Sequence, residues 1–317
     1  MTIPGLESHQ VLYGCMGLGG DWTDMPYGAA DITNAEAAIE AALDSGITVF
    51  DHADIYRYGK AEAVFGEVLA RTPGLRERIL IQTKCGIRLP HGDQPGIYDL
   101  RGPTIVQRVE ESLKRLRTDV IDVLLLHRPD PLADPMDIAE ALTSLHRQGL
   151  VRAFGVSNMA ASQIEHLQAA LDLPLVANQL EMSLAQRDWL ESGVLVNTPA
   201  AAGNGFPLGT IEFCQRNGLR LQAWGALARG RYTGRQETPT EQQTAELISS
   251  LARAKNTTPE TIVLWWLQRH PARVAPVIGT TSPERIRACR DAALREPALS
   301  QQEWYDLWLT ARGAPLP

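Results

Sequence analysis

Eight short apolar runs, rich in β-branched residues, recur along the chain, and each is followed by a longer segment with the period of an amphipathic helix. The runs cover residues 11–15, 47–50, 79–83, 120–126, 151–156, 175–178, 219–223 and 274–278. This alternation is typical of parallel strands joined by crossover helices, and eight strands close a barrel. No linker or change of composition divides the chain. The sequence therefore predicts an α/β protein with one domain over residues 1–317, a (β/α)8 TIM barrel.

The helical segments carry start signals at their N-termini. Segments 103–116 and 162–171 place apolar residues on one face, and Thr104, Ser162 and Ser282 are interpreted as the signals that open helices. A last helix is predicted over residues 300–312, with Ser300 as its cap. Segment 181–208 follows no period, and we expect it to be a long excursion whose conformation the sequence does not define.

The charge balance argues against nucleic acid as a partner. Lys and Arg total 30 against 37 Asp and Glu, a net charge of −7, and no basic run exceeds a pair. Hydrophobic residues make up 44% of the chain, enough for a substantial core. No apolar stretch is long enough to span a bilayer, and the first ten residues lack the pattern of a secretory signal. We expect a cytoplasmic protein with no membrane partner.

The cysteines and histidines do not show metal-ligand spacing. The four cysteines are scattered and are interpreted as reduced thiols. The segment DHAD, with His52 and Asp54, suggests a metal site together with His127. Strand alternation, however, turns His52 to the opposite face from Asp51, so we predict no metal.

Active sites of barrels lie at the carboxyl ends of the strands, so the polar residues that end the apolar runs are candidates. These residues are Asp51, Lys84, His127, Ser157, Asn158, Gln179 and Trp224. Tyr56 follows Asp51 closely. A tyrosine hydroxyl titrates near pH 10, and an ammonium such as that of Lys84 lowers this pKa. Asp51 is a suitable anion to keep Lys84 charged. His127 is a suitable residue to orient or polarise a carbonyl oxygen. No side chain donates a hydride, so a reduction requires a nicotinamide cofactor.

Several segments together resemble the aldo-keto reductases. They are GCMGLGG (14–20), DHADIYRYGKAE (51–62), IQTKCG (81–86), LLLHRPDP (124–131), FGVSN (154–158), ANQLE (177–181), AWGALARGRYTG (223–234) and PVIGTTSPERI (276–286). They cover most of the chain in family order, and within the family they look closest to the bacterial YdhF-like oxidoreductases. The resemblance implies reduction of an aldehyde or ketone with NADPH. It also implies a catalytic tetrad of Asp51, Tyr56, Lys84 and His127.

The resemblance further implies the residues that bind NADPH. Ser157, Asn158 and Gln179 match the positions that hold the nicotinamide carboxamide, and Trp224 matches the aromatic shelf under the ring. The remaining cofactor positions it implies are Gly20, Asp51, Gly225, Leu227, Arg229, Gly230, Gly279, Thr281, Ser282 and Arg285. Arg285 is the physical basis for a preference for NADPH, because a guanidinium pairs with the 2′-phosphate that NADH lacks.

Two segments depart from the family pattern. Ala288 and Cys289 stand where a Glu-Asn pair often holds the adenine. The usual YSPL loop is replaced by Trp224-Gly225-Ala226-Leu227, in which Gly225 has no hydroxyl for a phosphate. Both departures reduce the expected contacts to the cofactor.

Trp22, Tyr58 and Arg128 are the candidates for the substrate wall. The sequence names no physiological substrate and no oligomeric state. Two other functions stay open beside carbonyl reduction: an NADP-binding regulatory barrel with slow turnover, and a barrel lyase or isomerase. An intact tetrad favours the reductase.

Overall fold

Ten strands and twelve α-helices make up the part of the chain described by the computed structural model, residues 11–317. The strands are β1 Leu12–Gly14, β2 Val49–Asp51, β3 Leu80–Cys85, β4 Ile87–Arg88, β5 Ile97–Tyr98, β6 Ile121–Leu126, β7 Val151–Ser157, β8 Leu175–Glu181, β9 Arg220–Trp224 and β10 Ala275–Ile278. The helices are α1 Ala29–Asp44, α2 Lys60–Arg71, α3 Gly102–Leu116, α4 Pro135–Arg147, α5 Ala161–Gln168, α6 Asp188–Val194, α7 Thr210–Arg216, α8 Pro239–Ala254, α9 Pro259–Gln268, α10 Pro283–Arg287, α11 Arg290–Leu294 and α12 Gln301–Arg312.

Eight of the strands form a closed parallel barrel in the order β1, β10, β9, β8, β7, β6, β3, β2, with β2 returning to β1. Each of the eight predicted runs supplies one of them, which confirms the predicted fold. The strands β2, β3, β7, β8 and β9 extend past the predicted apolar runs to include polar residues at their carboxyl ends. The remaining strands, β4 and β5, form a separate antiparallel hairpin at the same end of the barrel.

The barrel interior is layered. Two small apolar clusters fill part of it, Leu12, Val49, Ala275 and Val277 in one and Val123, Leu125 and Ala177 in the other. Gly155 of β7 is needed here, because a Cβ at that position would lie 2.7 Å from Leu125 Cδ2 and 2.8 Å from the main-chain oxygen of Ala177. Residues two positions further along several strands are polar, since side chains of one face repeat every second residue. A polar layer therefore adjoins the apolar clusters inside the barrel. It consists of the hydrogen-bonded side chains of Asp51, Gln82, Lys84, Gln179 and Gln222.

The helix starts were predicted with mixed success. Ser282 and Ser300 cap α10 and α12, each accepting a hydrogen bond from a main-chain N–H three residues on. The predicted helix starts at Thr104 and Ser162 were wrong, because α3 begins at Gly102 and α5 at Ala161. Both side chains therefore lie inside the first turn. Proline at position 103 lacks an N–H and suits the first turn, so α3 starts one residue earlier than its apolar period indicates.

The excursion over 181–208 is ordered by the C-terminal helix. It contains α6 and a 3-10 turn, Pro199–Gly203. Glu191 of α6 accepts a hydrogen bond from Trp308 Nε1 at 3.2 Å and pairs with Arg312 at 3.4 Å. Trp189 packs edge-on against Trp266 of α9. These contacts fix the excursion against α9 and α12.

No helix within residues 11–317 combines the length and the apolar character that crossing a membrane requires.

Candidate active site

Lys84 lies at the centre of the polar layer. Its ammonium nitrogen is 2.8 Å and 2.7 Å from the two carboxylate oxygens of Asp51, 2.9 Å from the main-chain oxygen of His52 and 3.2 Å from the hydroxyl of Tyr56. The side chains of Lys84 and Asp51 are almost fully buried. Burial by itself lowers the pKa of Lys84, but Asp51 and Tyr56 outweigh it and raise that pKa above its ordinary value. Lys84 is therefore a permanent cation within reach of Tyr56.

Tyr56 lies in a 3-10 turn, Tyr56–Gly59, that follows β2. Burial raises the pKa of Tyr56, and the charge and hydrogen bond of Lys84 oppose this rise. The sequence predicted the effect of Lys84 but not the net direction, which is upward because the desolvation of the ring end is the larger cause. The phenol therefore keeps its proton at neutral pH.

His127 follows β6, and its ring meets that of Tyr56 edge-on, with 6.0 Å between the ring centroids. Burial and the charges of Lys84 and Arg128 hold the pKa of His127 well below its usual range. No residue within 11–317 hydrogen-bonds the buried Nδ1 of His127. The imidazole is therefore neutral, with one N–H to donate.

The ends of β7, β8 and β9 bring four of the predicted cofactor residues together. Ser157 Oγ donates to the main-chain oxygen of Gln179 at 2.9 Å, and Asn158 Nδ2 donates to Ser157 Oγ at 2.7 Å. Trp224 Nε1 donates to Asn158 Oδ1 at 3.1 Å. Asn158 adopts a left-handed backbone, with φ of 57°, which turns its side chain toward this group. These side chains form one connected surface at the barrel mouth.

The loops after β9 and β10 carry the other predicted cofactor residues. Leu227 is half-buried, and the 3-10 turn Ala228–Gly230 follows it. Gly225 and Gly230 have φ of 71° and 79°, and Gly20, after β1, has φ of 77°. Gly279, Thr281 and Arg285 are exposed beyond β10, with Ser282 half-buried among them. The guanidinium groups of Arg229 and Arg285 form no ion pair with residues 11–317.

Cys289 turns inward rather than toward this surface. It is fully buried, and its thiol donates to the main-chain oxygen of Arg285 at 3.4 Å. The main-chain oxygen of Ala288 accepts from Thr258 Oγ1 and Thr261 Oγ1. Neither residue replaces the Glu-Asn pair as a polar contact for adenine.

Three candidates for the substrate wall lie around the mouth. Trp22 and Tyr58 are 41% and 52% exposed, and their rings meet edge-on with centroids 6.1 Å apart. The guanidinium of Arg57 lies 5.4 Å from the centroid of the Trp22 ring. Arg128 is half-buried, follows His127 and forms no ion pair with any residue from 11 to 317.

The sequence missed two residues of the polar layer, Gln82 and Gln222. Both are fully buried inside the barrel and hydrogen-bond each other. A signal was available, since a glutamine interrupts each of the apolar runs LIQTK and LQAW, and Gln82 shares a strand face with Lys84. Within the described residues, no three His, Cys, Asp or Glu side chains come together in a group that could hold a metal ion.

The model of the aldo/keto reductase family matches residues 10–307. The chain belongs to the aldo/keto reductase family. This confirms the family that the sequence resembles. Among curated relatives of the family, 6-dehydroglucose reductase of Agrobacterium fabrum is 35% identical over 317 residues, covering 97% of this chain and 96% of the relative. Oxidoreductase YdhF of Escherichia coli is 35% identical over 282 residues and 88% of each chain.

Solved structures of the family share the barrel. An aldo/keto reductase of Klebsiella pneumoniae, solved in complex with NADP and acetate, superposes with a TM-score of 0.71 and 25% identity. The match covers 97% of this chain and 92% of that chain.

The described residues fit an NADP-type cofactor. Gln179 Oε1 accepts no hydrogen bond from any residue within 11–317, so an acceptor is left for the amide of a nicotinamide. Trp224 offers an aromatic face beside it, and Arg229 and Arg285 offer cations to phosphates further along the same edge.

Proposed function

We propose that this aldo/keto reductase uses NADPH to reduce an aldehyde or ketone to an alcohol, with Tyr56 as the proton donor. The observation that carries the proposal is the position of Lys84 Nζ, which contacts the carboxylate of Asp51 at 2.7 Å and the hydroxyl of Tyr56 at 3.2 Å. A fixed cation therefore lies against the phenol of Tyr56, whose ring also meets that of His127.

Tyr56 and His127 have different roles at the carbonyl oxygen: Tyr56 donates a proton to it and His127 a hydrogen bond. The raised pKa of Tyr56 keeps the phenol protonated, while Lys84 stabilises the phenolate that forms when the proton leaves. The neutral His127 donates a hydrogen bond that orients and polarises the carbonyl group. NADPH supplies the hydride when bound. In the oxidation direction, Tyr56 accepts the proton as phenolate.

Five groups of residues hold the cofactor in this proposal, one of them indirectly. Ser157, Asn158 and Gln179 bind the carboxamide, and Trp224 stacks on the ring. Asp51 contributes indirectly, because it accepts hydrogen bonds from Lys84 and Gln179 and holds both side chains in position. Leu227, Arg229 and Gly230, with Gly20 and Gly225, border the pyrophosphate, and Gly279, Thr281, Ser282 and Arg285 border the 2′-phosphate.

A polyhydroxylated aldehyde is the substrate class that the mouth suits best. The aromatic faces of Trp22 and Tyr58 pack against C–H groups of a sugar. The guanidinium of Arg128, which has no ion pair among residues 11–317, donates to hydroxyl oxygens of the sugar. The relative from Agrobacterium fabrum, which aligns over nearly its whole length, is named for reduction of 6-dehydroglucose.

A panel of carbonyl compounds, followed by the loss of NADPH absorbance, tests the proposal. We expect turnover of sugar aldehydes with a higher kcat/KM than for short ketones, and a several-fold higher KM for the sugar in Trp22→Ala and Arg128→Ala. NADPH binding without turnover of any compound would instead indicate the regulatory barrel. Absence of NADPH binding would leave a lyase or isomerase as the better explanation.

A further inference from the structure

Gln82 and Gln222 form a reciprocal amide pair beneath the cofactor residues. Gln82 Nε2 donates to Gln222 Oε1 at 2.8 Å, and Gln222 Nε2 donates back to Gln82 Oε1 at 2.9 Å. Gln82 comes from β3 and Gln222 from β9, so the pair crosses the interior of the barrel. Both side chains are completely excluded from solvent. Buried amides without partners are costly, so this pairing fixes both groups in one orientation.

Gln179 joins the pair from β8 and connects it to the catalytic carboxylate. Its Nε2 donates to Gln222 Oε1 at 2.9 Å and to Asp51 Oδ1 at 3.2 Å. Gln82 Nε2 donates to the same Asp51 oxygen at 2.6 Å. An amide nitrogen carries two N–H groups, so both donors of Gln179 and both donors of Gln82 are in use.

The charge of Asp51 decides which way these amides face. A reversed Gln179 would place its carbonyl oxygen against a carboxylate oxygen and against Gln222 Oε1, two repulsive contacts in a buried site. With the nitrogen held on that side, Oε1 of Gln179 is left facing away from Asp51, and it accepts no hydrogen bond from residues 11–317.

We infer that Gln82 and Gln222 are positioning residues that fix Gln179 as an acceptor for the N–H groups of the nicotinamide carboxamide. This inference rests on the proposed use of NADP(H). The pair acts through Gln179 and has no contact of its own with substrate or cofactor. It also links cofactor recognition to the tetrad, because Gln82 and Gln179 share one oxygen of Asp51 with Lys84.

A cofactor analogue tests the inference by binding alone. In 3-acetylpyridine adenine dinucleotide phosphate a methyl group replaces the carboxamide nitrogen, so the hydrogen bond to Gln179 Oε1 is lost. Dissociation constants for NADP⁺ and this analogue are measured by quenching of tryptophan fluorescence. The preference for NADP⁺ is the ratio of the dissociation constant of the analogue to that of NADP⁺. We expect this ratio to be about three- to tenfold larger in wild type than in Gln222→Met, the range of one net hydrogen bond.

Gln168→Met is the matched control. Gln168 also makes three hydrogen bonds, to the main-chain oxygens of Leu171 and Leu173 and from the N–H of Leu175, but it lies at the other end of the barrel. This variant loses as many contacts and should keep the wild-type preference. Gln82→Met, which breaks the same pair from the other side, repeats the test if Gln222→Met does not fold.

Two results overturn the inference: a wild-type protein that binds both compounds equally, or a Gln222→Met or Gln82→Met variant that keeps the full wild-type preference. Failure of the proposed function looks different. It would show as a wild-type protein that binds neither compound, or that binds NADP⁺ but reduces no carbonyl.

Discussion

Lys84 donates a hydrogen bond of 3.2 Å to the hydroxyl of Tyr56 while both oxygens of Asp51 hold its ammonium group from the other side. Burial raises the pKa of Tyr56, and Lys84 is the first cause that opposes the rise. The protonation of Tyr56 therefore depends on a charge that β3 places at a fixed distance.

Replacing Lys84 by methionine should raise the pKa of Tyr56 further. Oxidation of an alcohol requires the phenolate, so the basic limb of the pH profile for oxidation should move upward by about one pH unit or more, and kcat should fall. Profiles recorded with saturating NADP⁺ and a simple alcohol measure the shift.

Asp51→Asn serves as the opposite comparison, because it removes an anion whose charge raises the pKa of Tyr56 and keeps the ammonium that lowers it. The limb should move downward in this variant, provided that Lys84 stays charged. A Lys84→Met enzyme that is slower at every pH, with an unmoved limb, would contradict the electrostatic role of Lys84 and leave it as a structural partner of Asp51.

Arg285→Ala should weaken the binding of NADPH and leave that of NADH nearly unchanged. A guanidinium–phosphate contact is charge-assisted, so the loss for NADPH should be about tenfold or more. Fluorescence titration with both cofactors measures it. Arg287→Ala is the control, because Arg287 is two residues away on α10 and pairs with Asp44 instead. Equal losses for both cofactors in Arg285→Ala would refute the assignment.

Trp224→Phe separates the two roles of Trp224. Phenylalanine keeps an aromatic face, but it cannot donate to Asn158 Oδ1 as the indole N–H does at 3.1 Å. We expect NADPH affinity to fall about two- to tenfold, the range of one hydrogen bond, because Asn158 loses its orienting partner. Trp224→Ala should lose considerably more. If phenylalanine and alanine weaken binding equally, stacking contributes nothing.

Asp54 should make the fold less stable as the pH rises. Burial and, to a smaller extent, Glu62 raise its pKa from 3.8 to about 7, against the effects of Arg108 and Arg115. Because the folded pKa is higher than the unfolded one, the stabilisation from this group is complete below about pH 4 and is lost as the pH rises through 7.

Asp54→Asn removes this titration. Between about pH 5 and pH 8, the free energy of unfolding should fall by about 2–3 kcal/mol less in the variant than in wild type. Denaturant melts at both pH values measure the difference, with Asp44→Asn as an exposed control. Parallel pH dependence in Asp54→Asn and wild type would refute the buried titration.

The sequence was sufficient to predict the barrel because two local patterns indicate it: the apolar strand runs, and the helical period that follows each run. Each β-branched run became a strand, and the polar residues that end six of the runs came to the mouth, since parallel strands share a carboxyl edge. Asp51, Lys84 and His127 follow from that rule alone. Helix starts were harder to predict, as Thr104 and Ser162 show, because the first residue of a helix depends on tertiary packing as well as on capping preference.

The network beneath the site is not local and could not be predicted in the same way. Gln82 and Gln222 are 140 residues apart in sequence, and the role of each depends on its hydrogen bond to the other. The conformation of α6 likewise depends on Glu191 meeting Trp308 and Arg312 from the end of the chain. The net direction of the pKa shift at Tyr56 depends on the extent of burial, which the sequence does not contain.

The most direct test of the account is Tyr56→Phe, measured for NADPH affinity and for turnover of a reduced carbonyl in the same preparation. The ring is preserved, so the dissociation constant should stay within about twofold, while kcat should fall by at least about 100-fold, as expected for lost general acid catalysis. A variant that binds NADPH as wild type does and still turns over at the wild-type rate would contradict the central claim, and His127 would become the candidate for the proton donor.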